Sequence, residues 1–336
     1  MLNVLFQIRH DYMKNIAGDS IQMIKTREYL LKLGLNIDIS TDCKMNLSKY
    51  QLVHIFNILK AGEPYKFLQN AMKQKKPYVL STIYWNPTRY TDNQSGNFPP
   101  QNWWHKQYAP RIELLSNARV LLPNSMAELQ LIEKDFQIKK KYFIIPNCCD
   151  KFFYYSKADD FIQKHNLRDF VLCVGRICPR KNQLSLIKAL KKTGLKLVLI
   201  GPSGNREYYK KCNDLTECGD VLFLNSVKHE DLASAYAAAK VHVLPSHFET
   251  PGLASLEAGL AGCGIVTTKM DATIEYFRNM AIYCLPYSVK SIKKAVLEAY
   301  EKPYDCERLK EHILKNYIWE IAAEKTLKAY EYALQI

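Results

Sequence analysis

Short apolar runs alternate with amphipathic stretches along the whole chain. Residues 2–8 form a continuous apolar run and predict a first strand, while 20–33 place Ile21, Ile24, Tyr29, Leu30 and Leu33 at helical spacing. Further short apolar runs at 36–39, 52–58, 78–83, 119–122 and 142–145 predict strands. After Pro146 the rhythm restarts at 170–174, 197–200, 221–224, 241–244, 264–267 and 282–285. Strands of this kind, separated by helices, predict parallel sheets covered on both faces. Two series predict an α/β fold of two Rossmann-like, doubly wound parallel-sheet domains. Ligands of such sheets bind outside the carboxyl ends of the strands, so a facing pair makes a cleft.

Length supports two domains, because 336 residues is about twice the usual domain size. No apolar run of about eighteen residues exists to span a membrane. The opening MLNVLFQIRHDYMKN reads as a strand and not as a signal peptide, for it lacks a basic segment followed by a long apolar one. Ten cysteines are scattered through mostly apolar contexts such as Cys173, Cys263 and Cys284. That pattern predicts reduced core thiols in a cytosolic protein, and the lack of C-x-x-C spacing argues against zinc. The formal charge of +14 is spread over both halves. It suits an anionic partner: a nucleotide sugar, a lipid phosphate, an anionic membrane surface or nucleic acid. No nucleic-acid module or basic helix with base-stacking aromatics is present, so nucleic acid is not expected.

The most informative stretch is PSHFETPGLASLEAGLAGCGIV, residues 245–266. Val241, Val243 and Leu244 end a buried strand, and Pro251 with Gly252 opens a helix that stops near Gly262. Pro is tolerated in a first helical turn, where its missing N–H has no intrahelical partner to lose. The amides of Gly252 and Leu253, with the positive end of the helix dipole, favour a phosphate at this turn. Glu249 lies just before it and Glu257 about two turns in, so the two carboxylates can meet polar groups at different points of one ligand. A hydroxylated sugar, a diphosphate and a ribose have that layout. Two solvated helix-face carboxylates are the plainer account of the spacing alone.

The context of these residues resembles the E-x7-E signature of retaining glycosyltransferases of the GT-B fold, family 4. FVLCVGRICPRKNQLSLIKAL, residues 170–190, is similar to that family's strand-GR-x4-KN-helix element. The resemblance implies that Arg176 and Lys181 hold a donor diphosphate; two surface cations in a Lys-rich chain are the alternative. It further implies that Glu249 holds sugar hydroxyls near the reacting carbon, that Glu257 holds the ribose, and that backbone groups at Val227 read the base edge. IIPNCCDKFF, residues 144–153, resembles the family's interdomain linker, with Cys148 where Gly is usual. The domains implied are 1–147 for the acceptor and 148–316 for the nucleotide sugar, with a helix over 317–336 crossing back to the first.

Residues 15–20, around Gly18, are similar to the family's N-terminal Gly-rich loop under the donor phosphate, although capping of the next helix by Asp19 or Ser20 also explains them. The family's His after the fourth strand is replaced by Tyr84-Trp85-Asn86, so Tyr84 or Trp85 is expected to shape the acceptor pocket. Residues 86–108 form a polar, aromatic-rich loop with Tyr90, Phe98, Trp103, Trp104 and Tyr108. The aromatics suit a sugar or a membrane interface, or Trp103 and Trp104 begin a packed helix. Residues 65–76 carry four lysines on an amphipathic stretch, fit for anionic lipid or for plain solvation. Asp271 to Phe277 resembles a G-x-x-E element, in which Glu275 reads as an ordinary helix carboxylate. Gly201-Pro202-Ser203-Gly204 predicts a turn at the cleft edge.

The expectation is a cytoplasmic, peripheral, retaining hexosyltransferase. Its donor is a UDP- or GDP-linked sugar and its acceptor a glycan or a lipid-linked sugar, with no cofactor and no metal. A GT-B sugar-nucleotide epimerase and a non-catalytic basic binding protein are the alternatives. The paired retention of Glu249, Glu257, Arg176 and Lys181 argues against the second of these.

Overall fold

The computed structural model describes residues 2–89, 101–216, 220–302 and 305–335. The chain divides into two compact units, 1–148 with 319–336, and 149–318.

Unit 1 contains strands β1 (Asn3–Gln7), β2 (Asn36–Ser40), β3 (Leu52–Phe56), β4 (Tyr78–Ser81) and β5 (Val120–Leu122). They form one parallel sheet in the order β2-β1-β3-β4-β5. Helices α1 (Gly18–Lys32), α2 (Gly62–Lys73), α3 (Gln101–Lys106), α4 (Tyr108–Asn117) and α5 (Met126–Phe136) follow their strands. Both faces are covered, which is why Val4, Leu5 and Phe6 are all fully buried. Leu5, Val53, Ile55 and Leu80 pack with Phe67, Leu68, Leu114 and Ile132.

Unit 2 holds β6 (Phe170–Val174), β7 (Leu197–Ile200), β8 (Val221–Leu224), β9 (Ala239–Leu244), β10 (Gly264–Thr268) and β11 (Ile282–Cys284). The parallel order is β11-β10-β9-β6-β7-β8, so the sheet grows one way from β6 and then the other. Its helices are α6 (Asp159–His165), α7 (Gln183–Leu190), α8 (Arg206–Asp214), α9 (His229–Ala238), α10 (Leu253–Ala261), α11 (Asp271–Phe277), α12 (Val289–Glu301) and α13 (Cys306–Asn316). Leu172, Val198 and Ile265 point to α9 and α10 on one face. Val171, Leu199 and Val266 point to α7 and α12 on the other.

The chain then returns to unit 1 as α14 (Trp319–Leu334), which packs on α1, β4 and β5. A buried polar chain locks it there: Tyr330 Oη lies 2.6 Å from His54 Nδ1, and His54 Nε2 lies 2.8 Å from Ser81 Oγ.

Two sequence expectations need correction. Residues 142–145 do not form a strand: Tyr142 makes a single bridge to Leu121, and Pro146 follows at once. Neither Asp19 nor Ser20 is the N-cap residue of α1, which is Ala17, although Ser20 Oγ accepts from the Ala17 N–H at 3.5 Å. Instead Asp19 is buried and accepts from Arg9 Nε at 2.8 Å and from Asn57 Nδ2 at 3.0 Å, tying the segment after β1 to the one after β3.

Trp103 and Trp104 lie on α3, with Trp104 buried under the Arg111 guanidinium at 3.6 Å. Arg111 is itself fully buried and donates to the carbonyls of Ile58, Leu59 and Trp104. Tyr90 and Phe98, the other aromatics expected on that loop, lie outside the described residues. Among the described residues the cysteines are free thiols, and burial raises Cys173, Cys212 and Cys284 to about 12. No described helix is long and apolar enough to cross a membrane.

His54 in unit 1 and His242 in unit 2 are buried, and desolvation lowers each to about 3. Between about 6.5, the ordinary value, and about 3 the unfolded chain takes up these protons and the folded one does not. Stability therefore falls as the pH is lowered through this window, by about 1.4 kcal/mol per pH unit for each histidine. Urea unfolding between pH 7 and 4.5 should show this loss, and His54→Gln should flatten the slope for unit 1.

Candidate functional site

The order of unit 2's strands separates at β6 and β9, neighbours whose connections leave in opposite directions. A crevice opens at the carboxyl ends of such a pair. The segments after β6, β7 and β9 converge there.

The first two are held together backbone to backbone. Gly175 N–H donates to Ile200 O at 2.9 Å, Ile177 N–H to Pro202 O at 2.9 Å, and Gly204 N–H to Ile177 O at 3.0 Å. Glycine is required at Gly201, where a Cβ would stand 2.3 Å from Gly175 O and φ is +150°. At Gly204 a Cβ would stand 2.4 Å from Cδ of the Arg176 side chain, so glycine there lets that stem lie close. The stem of Arg176 thus lies across a surface cleared of side chains, and Arg176 is exposed.

A short 3-10 turn, Pro179–Lys181, carries the next cations. It ends at Asn182, in the left-handed region at φ 60°, a conformation Asn tolerates better than most residues. Asn182 is buried and donates through Nδ2 to Pro245 O at 3.0 Å and to Pro286 O at 2.8 Å. One side chain thereby joins the start of α7 to the exits of β9 and β11.

At the centre is Glu249, 7% exposed, whose Oε2 accepts from Lys181 Nζ at 2.7 Å. Arg180 Nη1 donates to Phe248 O at 3.0 Å and stands 3.9 Å from the same carboxylate oxygen. Burial alone would push the Glu249 carboxyl up, but Lys181, Arg180 and hydrogen bonding outweigh it and hold it below its ordinary value. Lys181 is only 12% exposed at its side chain, so the pair is largely out of water. His242 lies beneath on β9 and stays neutral through burial and the nearby Lys181 charge.

Gly252, at φ +92°, caps α10 and packs against Glu249, whose Cγ would be 3.1 Å from a Cβ there. The N–H groups of Leu253 and Ala254 open α10 and have no intrahelical acceptor. The arrangement thus provides three cations, a helix N-terminus and a buried carboxylate at one crevice, which suits an anion bonded to a hydroxylated group.

The residues expected from the sequence distribute as follows. Lys181, Glu249 and Gly252 come together directly, with Arg176 and Leu253 on the same converging segments. Glu257 is half-buried and accepts from Tyr236 Oη at 2.9 Å, so it is no solvated helix-face carboxylate. Tyr236 is fully buried, and burial with the adjacent carboxylate raises its phenol. Val227 follows β8 and lines a small crevice with Ile200, Leu224 and Asp231.

Gly18, Tyr84 and Trp85 belong to unit 1. A Cβ at Gly18 would meet nothing within 4 Å, so local packing does not require glycine there. Tyr84 is 1% exposed, donates to Asp135 Oδ2 at 2.7 Å and packs on Trp104 and Phe136. It is a core residue and does not line an acceptor pocket; its apolar ring is better accommodated beneath α5. Trp85 is half-buried.

Sequence reasoning missed Arg180, Asn182 and Tyr236. The first two had a signal, since they flank Lys181 in PRKN. Tyr236 had none, because its link to Glu257 exists only once α9 and α10 pack together.

Residues 157–316, just under half the chain and nearly all of unit 2, match the family model described as glycosyl transferases group 1. The O-antigen chain mannosyltransferase B of Escherichia coli is 27% identical over 183 residues, 51% of this chain and 48% of that protein. The chain spans about half the length of the curated relatives it matches. Among solved structures, the sucrose-phosphate synthase of Thermosynechococcus elongatus superposes with a TM-score of 0.84 at 16% identity, covering 98% of both chains. HepE of Anabaena, solved in complex with UDP-glucose, gives 0.76 at 14% identity, covering 98% of this chain and 100% of that one. At such identities the likeness is one of fold, and the fold is GT-B.

Replacing Lys181 by Met should strand a buried carboxylate and lower the stability of unit 2 by about 3 kcal/mol, the low end for breaking such a pair since Arg180 remains near. Adding Glu249→Gln should recover part of the loss. Unfolding midpoints of the two single variants and the double variant test this coupling.

Proposed function

We propose that the chain is a glycosyltransferase that moves a hexose, with retention of configuration, from a UDP- or GDP-linked sugar to a hydroxyl of a glycan or lipid-linked acceptor. Its setting would be the synthesis of a cell-surface polysaccharide or glycoconjugate. The observation that carries the reading is the Lys181–Glu249 ion pair at the start of α10, flanked by Arg180 and Arg176. The group 1 family match over the same unit supports it, as does the UDP-glucose complex of a protein sharing the fold.

The chemistry requires charge to be neutralised as the sugar–phosphate bond breaks. Arg176, Lys181 and the amides of Leu253 and Ala254 would meet the diphosphate, stabilising the leaving group electrostatically. Arg180 would add to that field from beside Phe248. Lys181 is paired with Glu249 in this structure, so donor binding would move it from carboxylate to phosphate. The released carboxylate, buried and ionised, would then accept hydrogen bonds from sugar hydroxyls beside the reacting carbon. Glu257, held by Tyr236, would do the same for the ribose. The departing phosphate would take the proton of the acceptor hydroxyl while the new bond forms on the face it leaves.

A panel of UDP- and GDP-sugars assayed for transfer and for hydrolysis tests the reading; turnover of none of them would overturn it. With the active donor, Lys181→Ala and Arg176→Ala should each lower turnover at least tenfold, since a diphosphate loses a charge-assisted partner. Glu257→Gln should weaken donor affinity while leaving the rate at saturating donor, whereas Glu249→Gln should depress that rate. The reverse pattern would exchange the two roles. Metal is assigned no step, so EDTA should leave activity within about twofold of the untreated enzyme; complete loss restored by Mn²⁺ would refute this assignment.

A further inference from the structure

Beside the ion pair lies a surface that the proposed chemistry leaves unused. After β11 the chain turns through Leu285, Pro286 and Tyr287 before α12 begins. Leu285 and Tyr287 are 55% and 54% exposed. Single exposed apolar side chains are ordinary, and exposure alone says nothing. Here, however, the turn is rigid. Ser288 N–H donates to Leu285 O at 3.1 Å, Lys269 N–H to Cys284 O at 3.0 Å, and Asn182 Nδ2 to Pro286 O at 2.8 Å. The backbone that carries Tyr287 is therefore held in place, and the Tyr287 ring lies on the His247 ring with centroids 5.0 Å apart and planes 36° from parallel.

His247 belongs to the site itself. Its N–H donates to Arg180 O at 2.9 Å, and it precedes Glu249 by two residues, so their Cα atoms are no more than about 7 Å apart. Through His247, an aromatic pair thus stands on the same short segment, after β9, as an ionised carboxylate. That combination fits a ligand with an apolar face and a rim of hydroxyls. A pyranose ring is such a ligand: its axial C–H bonds make one face apolar, while its equatorial hydroxyls project at the edge. Burying that face against an aromatic ring removes apolar surface from water, and the carboxylate satisfies the hydroxyls.

We propose that His247 and Tyr287 form a stacking platform for a pyranose ring, positioning it for reaction beside Glu249. The proposal rests on the glycosyltransferase reading and names a contact which that reading lacks. The ring is either the donor's sugar or the acceptor's, and the two are separated by experiment.

The test compares wild type, Tyr287→Ala and Tyr287→Phe. In the donor arm, calorimetry gives the affinities of UDP, GDP, UDP-glucose and GDP-mannose. In the acceptor arm, NMR follows the His247 ring resonances as methyl hexopyranosides are added. Tyr287→Ala should leave UDP and GDP binding within twofold and weaken either the nucleotide sugar or the methyl hexopyranoside five- to tenfold; the affected arm identifies the ring. Tyr287→Phe, which keeps the stacking face, should stay within twofold of wild type in both. Unchanged saccharide binding in Tyr287→Ala would overturn the platform. So would an equal loss of UDP, which would indicate a structural defect. If wild type binds no nucleotide, the glycosyltransferase reading fails, and the methyl hexopyranoside arm still decides whether the rings hold a sugar.

Discussion

A carboxylate removed from water must have its charge met, and Glu249 has its charge met by Lys181. The pairing is possible only because a 3-10 turn after β6 and the exit of β9 are brought side by side. That proximity follows from the strand order, in which β6 and β9 are neighbours whose connections diverge. Everything else in the crevice adjusts to that contact. Gly252 leaves room for the Glu249 stem, Asn182 fixes the turn carrying Lys181, and Arg180 covers the pair from the side. A buried pair of this kind is weak as a source of stability, because desolvation consumes much of the Coulombic gain. Under the proposed function, its value would lie in holding two opposite charges ready at a place where a dianionic ligand could exchange with one of them.

Unit 1 solves a similar problem at its own diverging pair, β1 and β3. Asp19 is buried and is satisfied by Arg9 and Asn57, which come from the segments after those two strands. His54 and Arg111 extend the pattern deeper: each is a buried polar group with its partners in place, and each ties elements far apart in sequence. Such groups add little net energy individually, but any arrangement that separates them leaves a desolvated polar atom unpaired.

The fold was legible because its signal is periodic and repeated. Apolar runs such as Phe170–Val174 read as strands buried on both faces, and ten of the eleven expected after the first were found, with ends moved by no more than two residues. Residues 142–145 misled because apolar character does not reveal whether a ladder of pairs exists. At the site, the placement of Glu249, Lys181 and Gly252 was legible because it derives from local geometry: a helix start, a cation after a strand, a bend. The ion pair between the first two was not, since it joins residues 68 apart. Tyr84 was misread for the complementary reason. Its position after β4 suggested a pocket, but only the packing of α5 determines that its hydroxyl reaches Asp135 and that its ring is covered.

Unit 2 is inserted into unit 1, for the chain leaves after Cys148 and returns at Trp319, with Cys149 N–H and Tyr317 O bonded at 3.0 Å where the two crossings meet. During synthesis His54 emerges well before the partner it requires, Tyr330, which follows the whole of unit 2 in sequence. Unit 2 is complete in sequence while unit 1 still lacks α14, so the order of completion is the reverse of the order in which the units begin. Until α14 has been made, β3 and β4 present a polar histidine and an uncovered apolar face to the surroundings. The returning helix therefore comes late in the assembly of unit 1 and leaves the nascent first unit dependent on whatever shields that face until α14 has been made.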